Sequence, residues 1–152
     1  MREIAAEIDI EADIAKVWAV LTDFASYPDW NPFIPSAAGQ LEPGGRLRVR
    51  IQPPGARGMT FRPTVMEVDP LHELRWLGRF VIPGLVDGEH MFILTSIGEG
   101  RVHFVQREVF RGLLVSFLGG LAAATRRGFE EMNSALKLGR SKTLRDRIAR
   151  GG

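Results

Sequence analysis

A histidine and a glutamate on two neighbouring segments of the chain are the residues best suited to chemistry. The two segments alternate apolar and polar side chains on either side of a glycine-rich turn at residues 98–100, which predicts a β-hairpin. His90 and Glu108 are equally distant from the centre of that turn, so they should face each other with Cβ atoms about 4.5–5.5 Å apart. Phe92 and Gln106 should form the next facing pair on the same side.

Two roles are open for the pair formed by His90 and Glu108. The imidazole and the carboxylate could transfer protons or orient a bound ligand. Alternatively, they could simply satisfy each other's hydrogen bonds inside the protein. The outcome depends on which side of the hairpin is buried. We expect the even-numbered side to face the interior, although Met91 and Ile93 favour the opposite side.

Further candidate residues are aromatic or apolar. The segment at residues 24–35 contains three prolines and four aromatic residues, and the prolines favour a short helical turn followed by a loop. Trp30, Asn31 and Phe33 could line or gate a cavity there, or could fill the core. Trp76 has the same alternatives. The residues expected to contact a ligand are Trp30, Asn31, Phe33, Trp76, Phe92, Phe104, Gln106, Phe110, Leu118, Leu121 and Phe129.

Composition and missing motifs exclude several kinds of protein. The chain has 152 residues, a net charge of +2 and no cysteine, which excludes disulfides, thiol catalysis and cysteine-ligated zinc. The charge gives no argument for nucleic-acid binding. His72-Glu73 begins like the zinc motif HExxH, but Trp76 stands where the second histidine is needed, so we expect no metal. We also expect no cofactor.

The same sequence gives expectations about location. No apolar run approaches the roughly 20 residues that cross a bilayer. Acidic residues occupy the first segment, where a signal peptide would be apolar. We therefore expect a cytoplasmic protein without stable membrane insertion, existing as a monomer or a homodimer.

A long helix near the C-terminus is the element that must position the candidate residues. Apolar residues recur at spacings of three and four over residues 113–138, which predicts one buried stripe. The stripe consists of Leu114, Phe117, Leu118, Leu121, Thr125, Phe129, Met132 and Leu136. The opposite side, which includes Arg126, Glu130 and Asn133, suits water. Gly119-Gly120 could allow the sheet or a ligand to approach closely, or could mark a kink or a late helix start.

The preceding residues favour a sheet. Seven strands are predicted, at residues 2–10, 37–42, 46–51, 60–68, 72–78, 89–96 and 101–110. A helix capped by Asp13 and ending near Asp23 follows the first strand. Strands and helices segregate along the chain, so the predicted class is α+β with an antiparallel sheet. Residues 1–138 should form one domain, and residues 139–152 a basic, flexible tail.

Several motifs together resemble a known family. They are IDIEADIAKVWAVLTD, YPDWNPF, GGRLRVRI, the pair Asp69-Pro70 followed by LRW, DGEHMF, QREVFRG and the terminal FEEMNSALK. The sequence resembles the SRPBCC or START-like (birch-pollen-allergen-like) superfamily, and within it the polyketide cyclase/dehydratase branch. The resemblance implies a helix-grip fold, in which a curved antiparallel sheet wraps the C-terminal helix around a hydrophobic cavity. Asp13 departs from the proline that many members have before the first helix.

Three functions follow as hypotheses. The first is binding of a small hydrophobic or aromatic ligand, lipid-like or polyketide-like, between the sheet and the C-terminal helix. The second is an enzyme of the aromatase/cyclase or dehydratase kind, in which His90 or Glu108 removes a proton next to a carbonyl and the other assists loss of water. The third is a protein-interaction module resembling chaperone activators.

Overall fold

The computed structural model describes residues 1–80 and 82–150, without the side chains of Phe80 and of residues 139–150. The first part of the chain contains β1 (Arg2–Ile10), α1 (Ile14–Thr22), a 3₁₀ turn (Phe24–Ser26) and α2 (Tyr27–Trp30). Six strands follow: β2 (Ser36–Gly39), β3 (Leu47–Ile51), β4 (Met59–Phe61), β5 (Thr64–Asp69), β6 (Glu73–Phe80) and β7 (Val86–Gly98). The chain then forms β8 (Arg101–Arg111), a second 3₁₀ turn (Val115–Phe117) and α3 (Gly119–Arg150).

The strands form two antiparallel sheets that adjoin at one edge. The larger sheet has the order β1-β8-β7-β6-β5, and the smaller has the order β2-β3-β4. Backbone hydrogen bonds join them, from Leu47 N to the Pro63 carbonyl (2.9 Å) and from Val65 N to the Gly45 carbonyl (2.8 Å). The combined wall curves around the start of α3, so the α+β helix-grip fold implied by the resemblance is confirmed.

The described residues form eight strands where the sequence predicted about seven. The single strand expected at residues 60–68 is divided into β4 and β5. Pro63 lies in the gap between them, and because proline has no backbone N–H it cannot donate to a sheet ladder. This division lets β4 pair with β3 while β5 pairs with β6.

The buried face of α3 agrees with the predicted stripe only after Gly119. Thr125, Phe129, Met132 and Leu136 are buried. Leu114 and Phe117, which we expected in the stripe, precede the helix and are 44% and 81% exposed. The expected helix start near Leu113 is therefore wrong, and the alternative of a late start at the two glycines is correct.

On the side of α3 that was expected to face water, Arg126 and Glu130 are exposed as predicted, but Asn133 is buried. The Arg126 guanidinium donates a hydrogen bond to the Ala5 carbonyl at 3.0 Å. Asn133 lies seven residues later, on the same face of the helix, and is only 2% exposed. The expectation that Asn133 faces water is wrong because this face packs against the edge strand of the sheet.

The helix backbone also extends beyond the predicted boundary at residue 138, to Arg150. The side chains of residues 139–150 and all of Gly151 and Gly152 lie outside the described residues. A flexible tail at residues 139–152 therefore stays a prediction, as does the single-domain boundary at residue 138.

Helix α1 and the aromatic segment at residues 24–35 pack against α3. Asp13 occupies the N-cap position of α1, but its side chain makes no capping hydrogen bond and instead lies 3.8 Å from Lys16. Val17 and Leu21 of α1 are buried. The Tyr27 hydroxyl donates to the Leu21 carbonyl, which ties the aromatic segment to the end of α1.

Candidate functional site

A cavity of about 80 Å³ lies where α3 begins, between the ends of β6, β7 and β8 and the smaller sheet. Its wall is mostly apolar, with a few polar groups. The lining residues are Phe33, Val49, Ile51, Pro53, Arg57, Met59, Phe61, Pro63, Trp76, Gly78, Gly88, His90, Glu108, Phe110, Leu121 and Thr125. Pockets for drug-sized ligands are typically about 300–1,000 Å³, so this cavity holds only part of such a molecule.

His90 and Glu108 face each other across β7 and β8, as the hairpin predicted. His90 Nδ1 lies 3.1 Å from Glu108 Oε2. Phe92 and Gln106 form the adjacent facing pair. His90 and Glu108 both line the cavity, so the even-numbered side of the hairpin is the concave side, as expected.

The His90 imidazole has three aromatic neighbours and a hydrogen-bond partner on each ring nitrogen. It stacks on Trp76 with ring centroids 5.2 Å apart and planes inclined by 16°. The rings of Phe92 and Phe129 form T-shaped contacts with it, at 4.5 Å and 5.3 Å between centroids. The other ring nitrogen, His90 Nε2, lies 3.1 Å from Gln106 Nε2. These contacts leave the ring 3% exposed and fix its orientation.

The Glu108 carboxylate is less enclosed than the imidazole behind it. Its side chain is 17% exposed, and one oxygen, Oε1, makes no hydrogen bond to any described residue. A Cβ atom built on Gly88 would lie 2.6 Å from this oxygen. The absence of a side chain at Gly88 therefore provides the space that Oε1 occupies. Gly78, which pairs with Gly88 across β6 and β7, also lines the cavity.

The outer part of the cavity was not predicted from the sequence. Val49, Ile51, Met59 and Phe61 come from the smaller sheet. Alternation in β3 indicated that Val49 and Ile51 share a side, but not what that side would face. Arg57 lies in the loop before β4 and is exposed. The described residues offer its guanidinium no ion-pair partner, so it adds an unpaired cation to the cavity mouth.

The predicted ligand-contacting residues divide into two groups. Phe33, Trp76, Phe110 and Leu121 line the cavity. The others do not: Phe92, Phe104, Gln106 and Phe129 are fully buried in the core beside it, Asn31 is buried, and Trp30 and Leu118 are half-buried.

Asn31 has a structural role in this arrangement. Its Oδ1 accepts hydrogen bonds from the backbone N–H groups of Phe33 (3.1 Å) and Ile34 (2.8 Å). Trp30 packs edge-on against Tyr27, with centroids 5.2 Å apart. Both residues thus position the aromatic segment that presents Phe33 to the cavity.

Among the described side chains, those of residues 1–79 and 82–138, no three histidine, aspartate or glutamate groups lie so that they could hold a metal ion. The helices of this part of the chain are also too short or too polar to cross a bilayer.

Comparisons with known proteins agree with this architecture. A Streptomyces aromatase/cyclase (Zhui, strain R1128) superimposes with a TM-score of 0.74 at 16% identity, covering 94% of this chain and 95% of that one. A START superfamily protein from Mycobacterium smegmatis gives a TM-score of 0.73 at 17% identity, covering 93% and 98%. At these identities the similarity shows the shared fold.

A comparison with curated proteins finds no match. The family described as polyketide cyclase / dehydrase and lipid transport matches residues 1–138. Because that match covers most of the chain, the protein belongs to the polyketide cyclase/dehydrase and lipid transport family, in agreement with the START-like resemblance of its sequence.

Proposed function

We propose that this protein binds a small, mostly apolar or aromatic molecule in the cavity between the smaller sheet and the start of α3. The observation that carries the proposal is the combination of an apolar wall with a hydrogen-bonded pair of His90 and Glu108 facing into it. Ligand sites in proteins are typically apolar clefts with a small number of fixed polar groups.

The shape of the cavity supports a ligand that extends toward solvent. An apolar ring would contact Phe110 and Leu121, and its polar group would reach Glu108 at the inner end. The outer end would pass Met59, which is 48% exposed, and Arg57. An oxygen or a negative charge at that end would be attracted to the unpaired guanidinium.

Native mass spectrometry of the protein purified from its own host, followed by denaturing extraction, tests for such a ligand. We expect a complex heavier than the chain that releases a small molecule containing at least one oxygen. A protein at the mass of the chain alone, which also binds nothing from a panel of aromatic and lipid-like molecules, would contradict the proposal.

Glu108→Gln tests whether the polar pair belongs to the binding site. The substitution keeps the shape of the side chain but removes its charge. We expect ligand affinity to change by about tenfold or more, whereas the midpoint of thermal unfolding should change little. Unchanged affinity across the panel would remove Glu108 from the site.

A second candidate function is an enzyme of the aromatase/cyclase or dehydratase kind. The contact of 3.1 Å between His90 Nδ1 and Glu108 Oε2 favours it, because paired groups of this type act as general acids and bases. Glu108 would take a proton from the carbon next to a ligand carbonyl, leaving an enolate. The substrate class would be a poly-β-ketone.

Turnover of a poly-β-ketone mimic distinguishes the enzyme from the binding protein. Wild type should convert the mimic, and His90→Ala should bind it without converting it. If both proteins bind the mimic and neither converts it, the enzyme hypothesis fails while ligand binding stands. A protein partner recovered in pull-downs, without any retained small molecule, would instead favour the interaction module.

A further inference from the structure

We propose that Glu108 and Gln106 together fix the His90 imidazole in the tautomer with its proton on Nδ1, so that the site selects ligands that donate a hydrogen bond to Glu108. This inference rests on the proposed ligand-binding function and deepens it by naming the chemical class of the ligand. That class is an apolar or aromatic molecule with a hydroxyl group at its inner end.

The tautomer follows from the hydrogen-bond partners of Gln106. Its Nε2 is 3.1 Å from His90 Nε2 and 3.4 Å from Met132 Sδ, and neither sulfur nor an unprotonated ring nitrogen can donate. Both N–H groups of the amide are thus used. Because the amide donates to His90 Nε2, that ring atom must carry no proton.

The opposite orientation of the amide fits the surroundings less well. Gln106 is fully buried, and its Oε1 has no hydrogen-bond partner among the described residues. Rotating the amide would put two N–H donors at that unpaired position and an oxygen against Met132 Sδ. One unpaired acceptor would be replaced by two unpaired donors, and each buried unpaired group is unfavourable.

The assigned tautomer leaves His90 without a free hydrogen-bonding atom. Its Nδ1–H donates to Glu108 Oε2, and its Nε2 accepts from Gln106. His90 is therefore a positioning residue that holds one carboxylate oxygen. The other oxygen, Glu108 Oε1, stays available beside Gly88 and can only accept. A ligand group that reaches the inner end of the cavity must bring its own proton.

Nitrogen-15 NMR of the His90 side chain tests the tautomer directly in the wild-type protein. We expect Nδ1 to have the shift of a protonated ring nitrogen and Nε2 that of an unprotonated one. The double variant Glu108→Leu/Gln106→Leu removes the hydrogen-bond partners of both ring nitrogens, so the two tautomers should then mix. A wild-type proton on Nε2, or a tautomer unchanged in the double variant, would overturn the inference whatever the protein binds.

The ligand class is tested with two probes of the same ring system, 2-naphthol and 2-methoxynaphthalene. Only the first can donate a hydrogen bond. We expect wild type to bind 2-naphthol at least about tenfold more tightly than 2-methoxynaphthalene, because a hydrogen bond to a charged acceptor contributes that much affinity. In Glu108→Gln the exposed amide can donate to either oxygen, so the affinity ratio should fall to about one.

Two glycine variants provide a matched comparison. A methyl group at Gly88 would displace Glu108 Oε1, whereas at Gly78 the one atom of the described residues within 4 Å would be the Gly88 carbonyl oxygen, at 3.9 Å. Gly88→Ala should therefore reduce the preference for 2-naphthol. Gly78→Ala narrows the same cavity and should weaken the binding of both probes equally. The ratio of their affinities should therefore stay unchanged.

The outcomes separate the inference from the proposed function. Equal binding of the two probes by wild type would overturn the hydroxyl preference and leave ligand binding intact. Failure of both probes to bind at millimolar concentration would overturn the ligand class. The proposed function would fail as well only if native mass spectrometry also found the protein empty and the wider panel did not bind. A preference for 2-naphthol that Glu108→Gln and Gly88→Ala both abolish would support the inference.

Discussion

At the residue scale, the polar groups of the site are held by aromatic side chains in the core. Phe129 is fully buried and contacts both the Phe33 ring, at 5.4 Å, and the His90 ring, at 5.3 Å. It thus joins α3, the aromatic segment and β7 at one point. A rigid support of this kind lets His90 hold the carboxylate of Glu108 in one position.

Phe129→Ala should lower the free energy of unfolding by about 3–5 kcal/mol, because it removes a fully buried ring and leaves a void. Urea-induced unfolding measures this change. Leu138→Ala on the same helix is the control, since Leu138 is 66% exposed and its loss should cost less than about 0.5 kcal/mol. A cost below about 1 kcal/mol for Phe129→Ala would contradict its position in the core.

A second pair at this scale lies on the outer side of the sheet and predicts a pH effect. His103 Nδ1 lies 2.6 Å from Asp9 Oδ1, across the direct pairing of β8 and β1. The hydrogen bond that His103 donates to the Asp9 carboxylate, aided by Glu7, raises the pKa of His103 above its ordinary value of 6.5. The same bond lowers the pKa of Asp9 below 3.8, with help from Arg101 and Lys137.

The stabilisation from His103 should be complete below its unfolded-state pKa and should disappear as the pH rises through the higher folded-state pKa. Asp9 contributes while it is ionised, so the pair stabilises the fold most between about pH 4 and about pH 6.5. His103→Gln should therefore be more destabilising, relative to wild type, at about pH 5.5 than at about pH 9. An equal difference at both pH values in urea unfolding would refute this account.

At the scale of elements, the approach of α3 to the aromatic segment depends on one glycine in the helix. A Cβ atom at Gly128 would lie 2.2 Å from Phe33 Cδ2. The Phe33 ring is 1% exposed and packs on Phe129, so it cannot move away easily. Gly128 therefore sets the distance between α3 and a wall of the cavity.

Gly128→Ala and Gly120→Ala should have opposite effects on stability. Helix propensity alone would make either change favourable by up to about 1 kcal/mol. At Gly128 the clash with Phe33 should dominate and give a net loss of about 1–3 kcal/mol. At Gly120 no atom of the described residues lies within 4 Å of the new methyl group, so a small gain is expected. Thermal unfolding of the two variants measures the signs, and a stabilised Gly128→Ala would show that the packing is looser than described.

Elements with strong local signals were predictable from the sequence. The register of β7 and β8 follows from the glycine turn and the alternation on both sides, so the facing of His90 and Glu108 could be derived before the structure. Pro63 also indicated a break, because proline has no backbone N–H to donate to a sheet. The apolar residues around it favoured one continuous strand, so the division into two strands was not predicted.

At the scale of the whole molecule, the features that the sequence did not predict depend on contacts between distant segments. Val49, Ile51 and Met59 line the cavity because the smaller sheet closes over the ends of β6 and β7. Asn133 is buried because one face of α3 packs against β1. Periodicity indicates which residues share a face, but it does not indicate which element covers that face.

The arrangement of the whole molecule also determines what the protein can bind. The cavity of about 80 Å³ is small, and its walls come from both sheets, α3 and Phe33. A ligand bound there should contact all of these elements at once. We expect an apolar molecule with a hydroxyl group to occupy the space beside Gly78 and Gly88.

Titration of ¹⁵N-labelled protein with 2-naphthol, followed by the backbone amide shifts, tests this claim most directly. We predict saturable shifts that cluster on Gly78, Gly88 and Leu121, with much smaller shifts at His103 on the outer side of the sheet. The absence of saturable shifts, or shifts concentrated on the outer side, would contradict the claim that this cavity is the binding site.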